Sequence, residues 1–132
     1  MNISIIGISN ITKIIINRIE NHCENINIFS TNKNFDFINE YKNKDNIKII
    51  LVEDYIEKLN LIKNDSDYIF ITTDKDSSNS FLFHKIKLLV ETSKIQFSIK
   101  NLYLFNLYKN KKYLVINESL IEDNELINII RS

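Results

Sequence analysis

The sequence predicts a three-layer α/β fold, a doubly wound parallel sheet of about six strands with helices on both faces. Three observations carry this reading. Short apolar runs of strand character alternate with segments of helical periodicity of roughly ten to fifteen residues, the pattern of parallel βαβ units. One run, Ile47-Lys48-Ile49-Ile50-Leu51-Val52, is almost continuously apolar, which suits a sheet covered on both sides. The 132 residues are 44% hydrophobic and 26% charged, long enough for one core and too apolar for disorder, so 1–132 reads as a single domain.

The elements follow in order. Ile3-Ser4-Ile5-Ile6 is a buried strand that turns at Gly7, the only glycine in the chain. Ile11, Ile14, Ile15 and Ile19 then form one helical stripe, with Ser9 or Asn10 as its N-cap. A second strand at Ile26-Asn27-Ile28-Phe29 leads to a helix carrying Phe35, Ile38 and Tyr41. The third strand, Ile47 to Val52, precedes a short amphipathic helix with Tyr55, Ile56, Leu59 and Ile62. Tyr68-Ile69-Phe70-Ile71 is the fourth strand, ending in Thr72-Thr73-Asp74. Ser77 or Ser78 is expected to cap a longer helix through Phe81, Leu82, Lys85, Leu88 and Leu89. Asn101 to Leu107 reads as a fifth strand and Tyr113 to Ile116 as a sixth, and a last helix carries Leu120, Ile121, Leu126, Ile127 and Ile130. Right-handed crossovers complete a Rossmann-like topology.

Composition excludes several functions. Lysine plus arginine equal aspartate plus glutamate, seventeen each, so there is no basic surplus for nucleic acid or anionic lipid. A single cysteine, Cys23, rules out a disulfide framework and a thiolate cluster and fits a reducing cytoplasm. No stretch reaches the ~18 apolar residues of a membrane span. Asp74 and Asp76 read as a capping loop, His84 as a partly buried packing residue, and Lys109 to Lys112 as a turn. Tyr103, Phe105, Tyr108 and Tyr113 read as sheet core and rim. No nucleophile, base and acid stand at a usable separation, so no catalytic role is expected.

In open α/β sheets ligands bind beyond the carboxyl ends of the strands, where strand order reverses. This points to the loops Gly7–Thr12, Ser30–Lys33 and Thr72–Asn79. The first opens a helix whose free N–H groups favour an anion. Gly7 permits the tight turn, while Ser9 and Thr12 stand where the dinucleotide fingerprint has its second and third glycines. Roughly twenty residues on, where a carboxylate would bind ribose, the chain has Ser30; Ser30 with Lys33 could instead suit a 2′-phosphate. A valine at position 7 is expected to abolish ligand binding and leave the fold largely formed.

Three segments together resemble a known family: Ile3 to Thr12, the run DYIFITTDKDSSN at Asp67 to Asn79, and Tyr113 to Leu120. The chain is similar, in order and spacing over nearly all its length, to the N-terminal nucleotide-binding domain of the potassium transport and conductance regulators (the Trk/Ktr regulatory subunits and channel regulatory domains). It departs from the family at Ser9, Thr12 and Ser30, and at Val52-Glu53 after the third strand, and the family's usual C-terminal ligand-binding domain is expected to be absent from this chain. The resemblance implies a cytoplasmic subunit on the inner face of the membrane that binds ATP/ADP or NAD(H). It further implies a homo-oligomer, dimer or ring, that gates an integral-membrane potassium transporter or channel. By position, Gly7, Ser9, Asn10, Ile11 and Thr12 would meet the phosphates, Ser30 the ribose, and Thr72, Thr73 and Asp74 the rest of the nucleotide. Two alternatives stand beside it: a small NAD(P)-binding oxidoreductase domain, and a degenerate Rossmann scaffold that binds no nucleotide.

Overall fold

Strand β1 (Asn2–Ile6) is buried on both faces from Ile3 onward, which requires a central position in a covered sheet. In the computed structural model, which describes residues 1–33 and 35–120, β1 pairs with β2 (Asn25–Ser30) on one side and β4 (Tyr68–Ile71) on the other. β3 (Ile47–Leu51) adds outside β2, and β5 (Ile95–Ser98) and β6 (Val115–Ile116) add outside β4. Every pair is parallel, and the order is β3-β2-β1-β4-β5-β6. Strand order therefore reverses between β1 and β4, the Rossmann-like doubly wound arrangement expected from the sequence.

The two-residue period of the strands divides the core in two. Ile3, Ile5, Ile26, Ile28 and Phe70 face α1 (Asn10–Ile19) and α2 (Phe35–Tyr41). Ile6, Phe29, Ile69, Ile71 and Phe97 face α3 (Leu59–Asp65), α4 (Asp76–Ile86) and α5 (Leu102–Asn110). Right-handed crossovers running to β2 and β3 on one side of β1, and to β5 and β6 on the other, put their helices on opposite faces, so the core residues sort as they do. In α1 the buried positions are Ile11, Thr12, Ile15, Ile16 and Ile19; Ile14, expected in the stripe, sits half-buried at its margin.

Residues 95–110 correct the sequence reading. Asn101 to Leu107 is not a strand but the start of α5, and the fifth strand is Ile95–Ser98. The Asn101 side chain caps the helix, accepting a hydrogen bond from the Leu104 N–H at 2.9 Å. Phe105 and Tyr108 are buried and Leu104 half-buried, a helical spacing, while Tyr103 points out and is 75% exposed. Tyr103, Phe105 and Tyr108 are therefore helix residues rather than sheet core. Stacking of Phe83 on Phe97 (centroids 4.1 Å apart) and an edge contact of Phe97 with Tyr108 (4.9 Å) hold α4 and α5 against β5.

Smaller corrections concern α4 and its neighbours. The helix begins at Asp76, before both serines, with Lys75 as its N-cap, and it ends at Ile86, leaving Leu88 and Leu89 beyond it and exposed. The Asp76 carboxylate accepts from the Lys100 and Asn101 N–H groups at 2.7 and 2.9 Å, tying the start of α4 to the end of β5. His84 is exposed rather than packed, with Nε2 3.2 Å from the Tyr108 hydroxyl. The sixth strand contracts to Val115–Ile116. Leu120 closes a 3₁₀ turn at Glu118–Leu120, and the remainder of the expected last helix lies outside the described residues.

Candidate functional site

The carboxyl ends of β1, β2, β4 and β5 converge on the switch point, and their loops build the candidate site. Gly7 leaves β1 with φ +96°, a conformation L side chains rarely adopt. Its N–H donates to the Phe29 carbonyl at 2.8 Å. A Cβ at this position would lie 2.6 Å from the backbone N and Cα of Thr73. Gly7 is thus required by the contact between the first turn and the end of β4, independently of any ligand. The expectation that a valine here would act on binding alone is revised accordingly: it would act first on the fold.

Ser9 is the N-cap residue of α1, in extended conformation (φ −150°). Its hydroxyl donates to the Thr72 carbonyl at 2.8 Å, and its N–H donates to Thr12 Oγ1 at 3.0 Å. Thr12 and Thr72 are fully buried, and their hydroxyl oxygens stand 2.8 Å apart. The Gly7 carbonyl is within reach of both, 3.0 Å from Thr12 Oγ1 and 3.3 Å from Thr72 Oγ1. Each hydroxyl carries one proton, so one bonds the other and the other bonds Gly7. Ser9 and Thr12 therefore stitch the β1–α1 turn to the end of β4. Asn10, exposed, and Ile11, buried, complete the first turn, whose N–H groups have no intrahelical acceptor.

A second network, which the sequence reading did not single out, holds the other strand ends. Asn79 is buried in α4; its Oδ1 accepts from the Thr73 N–H at 2.9 Å and lies 2.6 Å from Thr73 Oγ1. Its Nδ2 donates to the Thr73 carbonyl at 3.0 Å and the Ser98 carbonyl at 2.9 Å. One side chain thereby fixes the loop after β4 against the end of β5. Its signal in the sequence was a lone amide eight residues past the end of β4, and only the partners reveal its role. At the end of β2, Ser30 is buried, its hydroxyl donating to the Asn32 carbonyl at 2.8 Å and accepting from the Asn32 N–H at 3.1 Å.

Two cavities flank the α1 N-terminus. The larger, about 370 Å³, is lined by Ile8, Ser30, Thr31, Asn32, Tyr55, Thr73 and Lys75, among others. The smaller, about 250 Å³, lies on the β5 side and is lined by Ser9, Asn10, Ile11, Ser98, Lys100 and Glu118, among others. Asp74, exposed, lines both. The Lys100 ammonium donates to the Asp74 carbonyl at 2.9 Å. Of the expected site residues, Ser9, Asn10, Ile11 and Asp74 meet at the smaller cavity and Ser30, Thr73 and Asp74 at the larger. Gly7, Thr12 and Thr72 lie beneath both, in the hydroxyl network. Lys75 falls in the expected loop Thr72–Asn79, whereas sequence reasoning missed Tyr55, Ser98, Lys100 and Glu118, whose place at the rim depends on how the loops fold together.

Burial pushes the Cys23 thiol above its ordinary range, away from the reactive thiolate. Among the described residues no group of three or more His, Cys, Asp or Glu is placed to hold a metal ion, and no helix is long and apolar enough to cross a membrane. The fold and the position of the site define a Rossmann-like α/β domain. No family model matches the chain, and no curated protein matches it by sequence.

Proposed function

We propose that the chain is a regulatory domain that senses a nucleotide, ATP/ADP or NAD(H), for a potassium uptake system or channel. The position of the cavities is the observation that supports this most: both open where the strand order reverses, one on each side of the α1 N-terminus. Their charged lining groups are Asp74, Glu118, Lys75 and Lys100, with no histidine or cysteine among the lining residues. The larger cavity offers an aromatic ring at Tyr55 for a base, the polar loop Ser30–Asn32 for a ribose and the Lys75 ammonium for a phosphate. The likeness of residues 67–79 and 113–120 to potassium transport regulators supplies the class of partner, an integral-membrane subunit gated by a homo-oligomer at the cytoplasmic face. A nucleotide would act by binding one assembly state more tightly than another.

Titration with ATP, ADP, NADH and NADPH, followed by calorimetry and melting temperature, tests this reading. A ligand at 100 times its Kd stabilises by about 2.7 kcal/mol, a readily measured shift. Different shifts with ATP and ADP, or with NADH and its oxidised form, support sensing. No shift with any of them at millimolar concentration would leave the scaffold reading. That second reading is favoured by one observation, the engagement of the Ser9, Thr12 and Thr72 hydroxyls with one another and with backbone carbonyls. Tight NADPH binding accompanied by hydride transfer would move the assignment to the oxidoreductase alternative.

A further inference from the structure

We infer that Ser9 is a specificity-determining residue that restricts the switch-point site to mononucleotides and turns dinucleotides away. The inference rests on the nucleotide reading above. A dinucleotide spanning a doubly wound sheet must carry its pyrophosphate past the N-terminus of the first helix, from the β2 side to the β5 side. In the glycine fingerprint the residue at this crossing has no side chain, so the backbone can approach the pyrophosphate. Here the crossing residue is Ser9, and both of its donors are committed. The hydroxyl proton goes to the Thr72 carbonyl at 2.8 Å and the N–H to Thr12 Oγ1 at 3.0 Å. A phosphate at this point meets a Cβ and an oxygen with only lone pairs to offer, where the fingerprint presents open backbone.

The cavities agree with this. Beside the α1 N-terminus lie one lobe of about 370 Å³ and one of about 250 Å³, with Ile8 lining the first and Ser9 the second. Asp74 lines both lobes, so its negative charge lies beside any phosphate that bridges them. The larger lobe by itself carries Tyr55, Ser30 to Asn32 and Lys75, the groups a nucleoside phosphate needs, and it lies at the low end of the ~300–1,000 Å³ range of small-molecule sites. A mononucleotide can occupy it without passing Ser9.

The test compares ADP and NADH binding by calorimetry to the whole chain and to its Ser9→Gly and Asp74→Asn variants. Glycine is itself an accepted N-cap residue, so Ser9→Gly keeps α1. The expected result is that the natural chain binds ADP at least tenfold more tightly than NADH. Ser9→Gly should tighten NADH tenfold or more while ADP changes by less than about twofold, and Asp74→Asn should shift the preference in the same direction. NADH binding the natural chain as well as ADP does, or no gain for NADH in Ser9→Gly, would overturn the role of Ser9 and leave nucleotide sensing standing. Absence of binding by both ligands to the natural chain and both variants would overturn the nucleotide reading itself, and this inference with it.

Discussion

Gly7→Ala isolates the contact on which the whole switch point is built. The substitution adds one methyl group, and two physical effects oppose it. The backbone at position 7 has φ +96°, and holding an L residue at positive φ costs roughly 1–2 kcal/mol. The new Cβ would also stand 2.6 Å from Thr73 N, Cα and Cγ2. Only Cγ2 belongs to a side chain; the other two atoms continue β4, which is bonded to β1 through the Thr72 N–H and Ile6 carbonyl at 2.8 Å. Relief therefore means parting the two central strands, and overpacking of this kind costs about 1–3 kcal/mol. The combined loss is roughly 2–5 kcal/mol, a fall in melting temperature of about 7–18 °C for a domain of this size. Thermal and urea unfolding of the ligand-free protein measure it. Thr73→Gly in the Gly7→Ala background should give little rescue, because the backbone atoms remain. A melting temperature within about 2 °C of the natural protein, or full rescue by Thr73→Gly, would refute the reasoning and return Gly7 to a purely ligand-facing role.

Three further outcomes are expected. Asn79→Ala removes the partner of the buried Thr73 N–H and carbonyl and of the Ser98 carbonyl, and should destabilise by about 3 kcal/mol in urea unfolding; Asn79→Asp, which keeps an acceptor and loses the amide donors, should not restore it. Tyr68→Phe should leave stability unchanged or raise it by up to about 1 kcal/mol, since the buried Tyr68 hydroxyl has no hydrogen-bond partner among the described residues, and burial holds its pKa above the usual tyrosine range; a clear loss of stability would mean that the hydroxyl is satisfied. His84 should titrate below its ordinary value of 6.5, because of partial desolvation first and then of Lys87 and Lys111. The unfolded chain then takes up its proton before the folded one does, so His84 contributes stability fully above about pH 6.5 and loses it as the pH falls from there through the depressed folded value. Its NMR titration midpoint should rise on Lys87→Gln; a midpoint at or above 6.5 in the natural protein would contradict this.

The misread region shows where local pattern failed. Leu102 to Leu107 is dense in leucine and aromatic residues, which favours a strand by composition, yet Leu104, Phe105 and Tyr108 repeat at helical spacing and Asn101 is a good cap. The true strand was legible nearby as Ile95-Gln96-Phe97-Ser98-Ile99, a strict apolar–polar alternation. Period and capping outweighed composition, because packing rewards a face rather than a total. The start of α4 illustrates a different limit. Ser77 and Ser78 look like caps, but Asp76 is drawn into the first turn by the backbone N–H groups of Lys100 and Asn101, 24 and 25 residues away, which no local reading can supply.

From the sequence by itself came the α/β class, the isoleucine strands and stripe of the first βαβ unit, the turn at Gly7 and the three loops at the carboxyl edge of the sheet. These depend on periodicity and on backbone preferences that act over a few residues. Tertiary structure alone decided the strand order, the division of the site into two lobes, and what the hydroxyls of Ser9 and Thr12 do. From their place in a glycine fingerprint they could have faced a phosphate; instead they face Thr72, 63 and 60 residues along the chain. A hydroxyl has one proton and takes the acceptor that packing brings within 3 Å, so its partner is a property of the fold rather than of the motif that contains it.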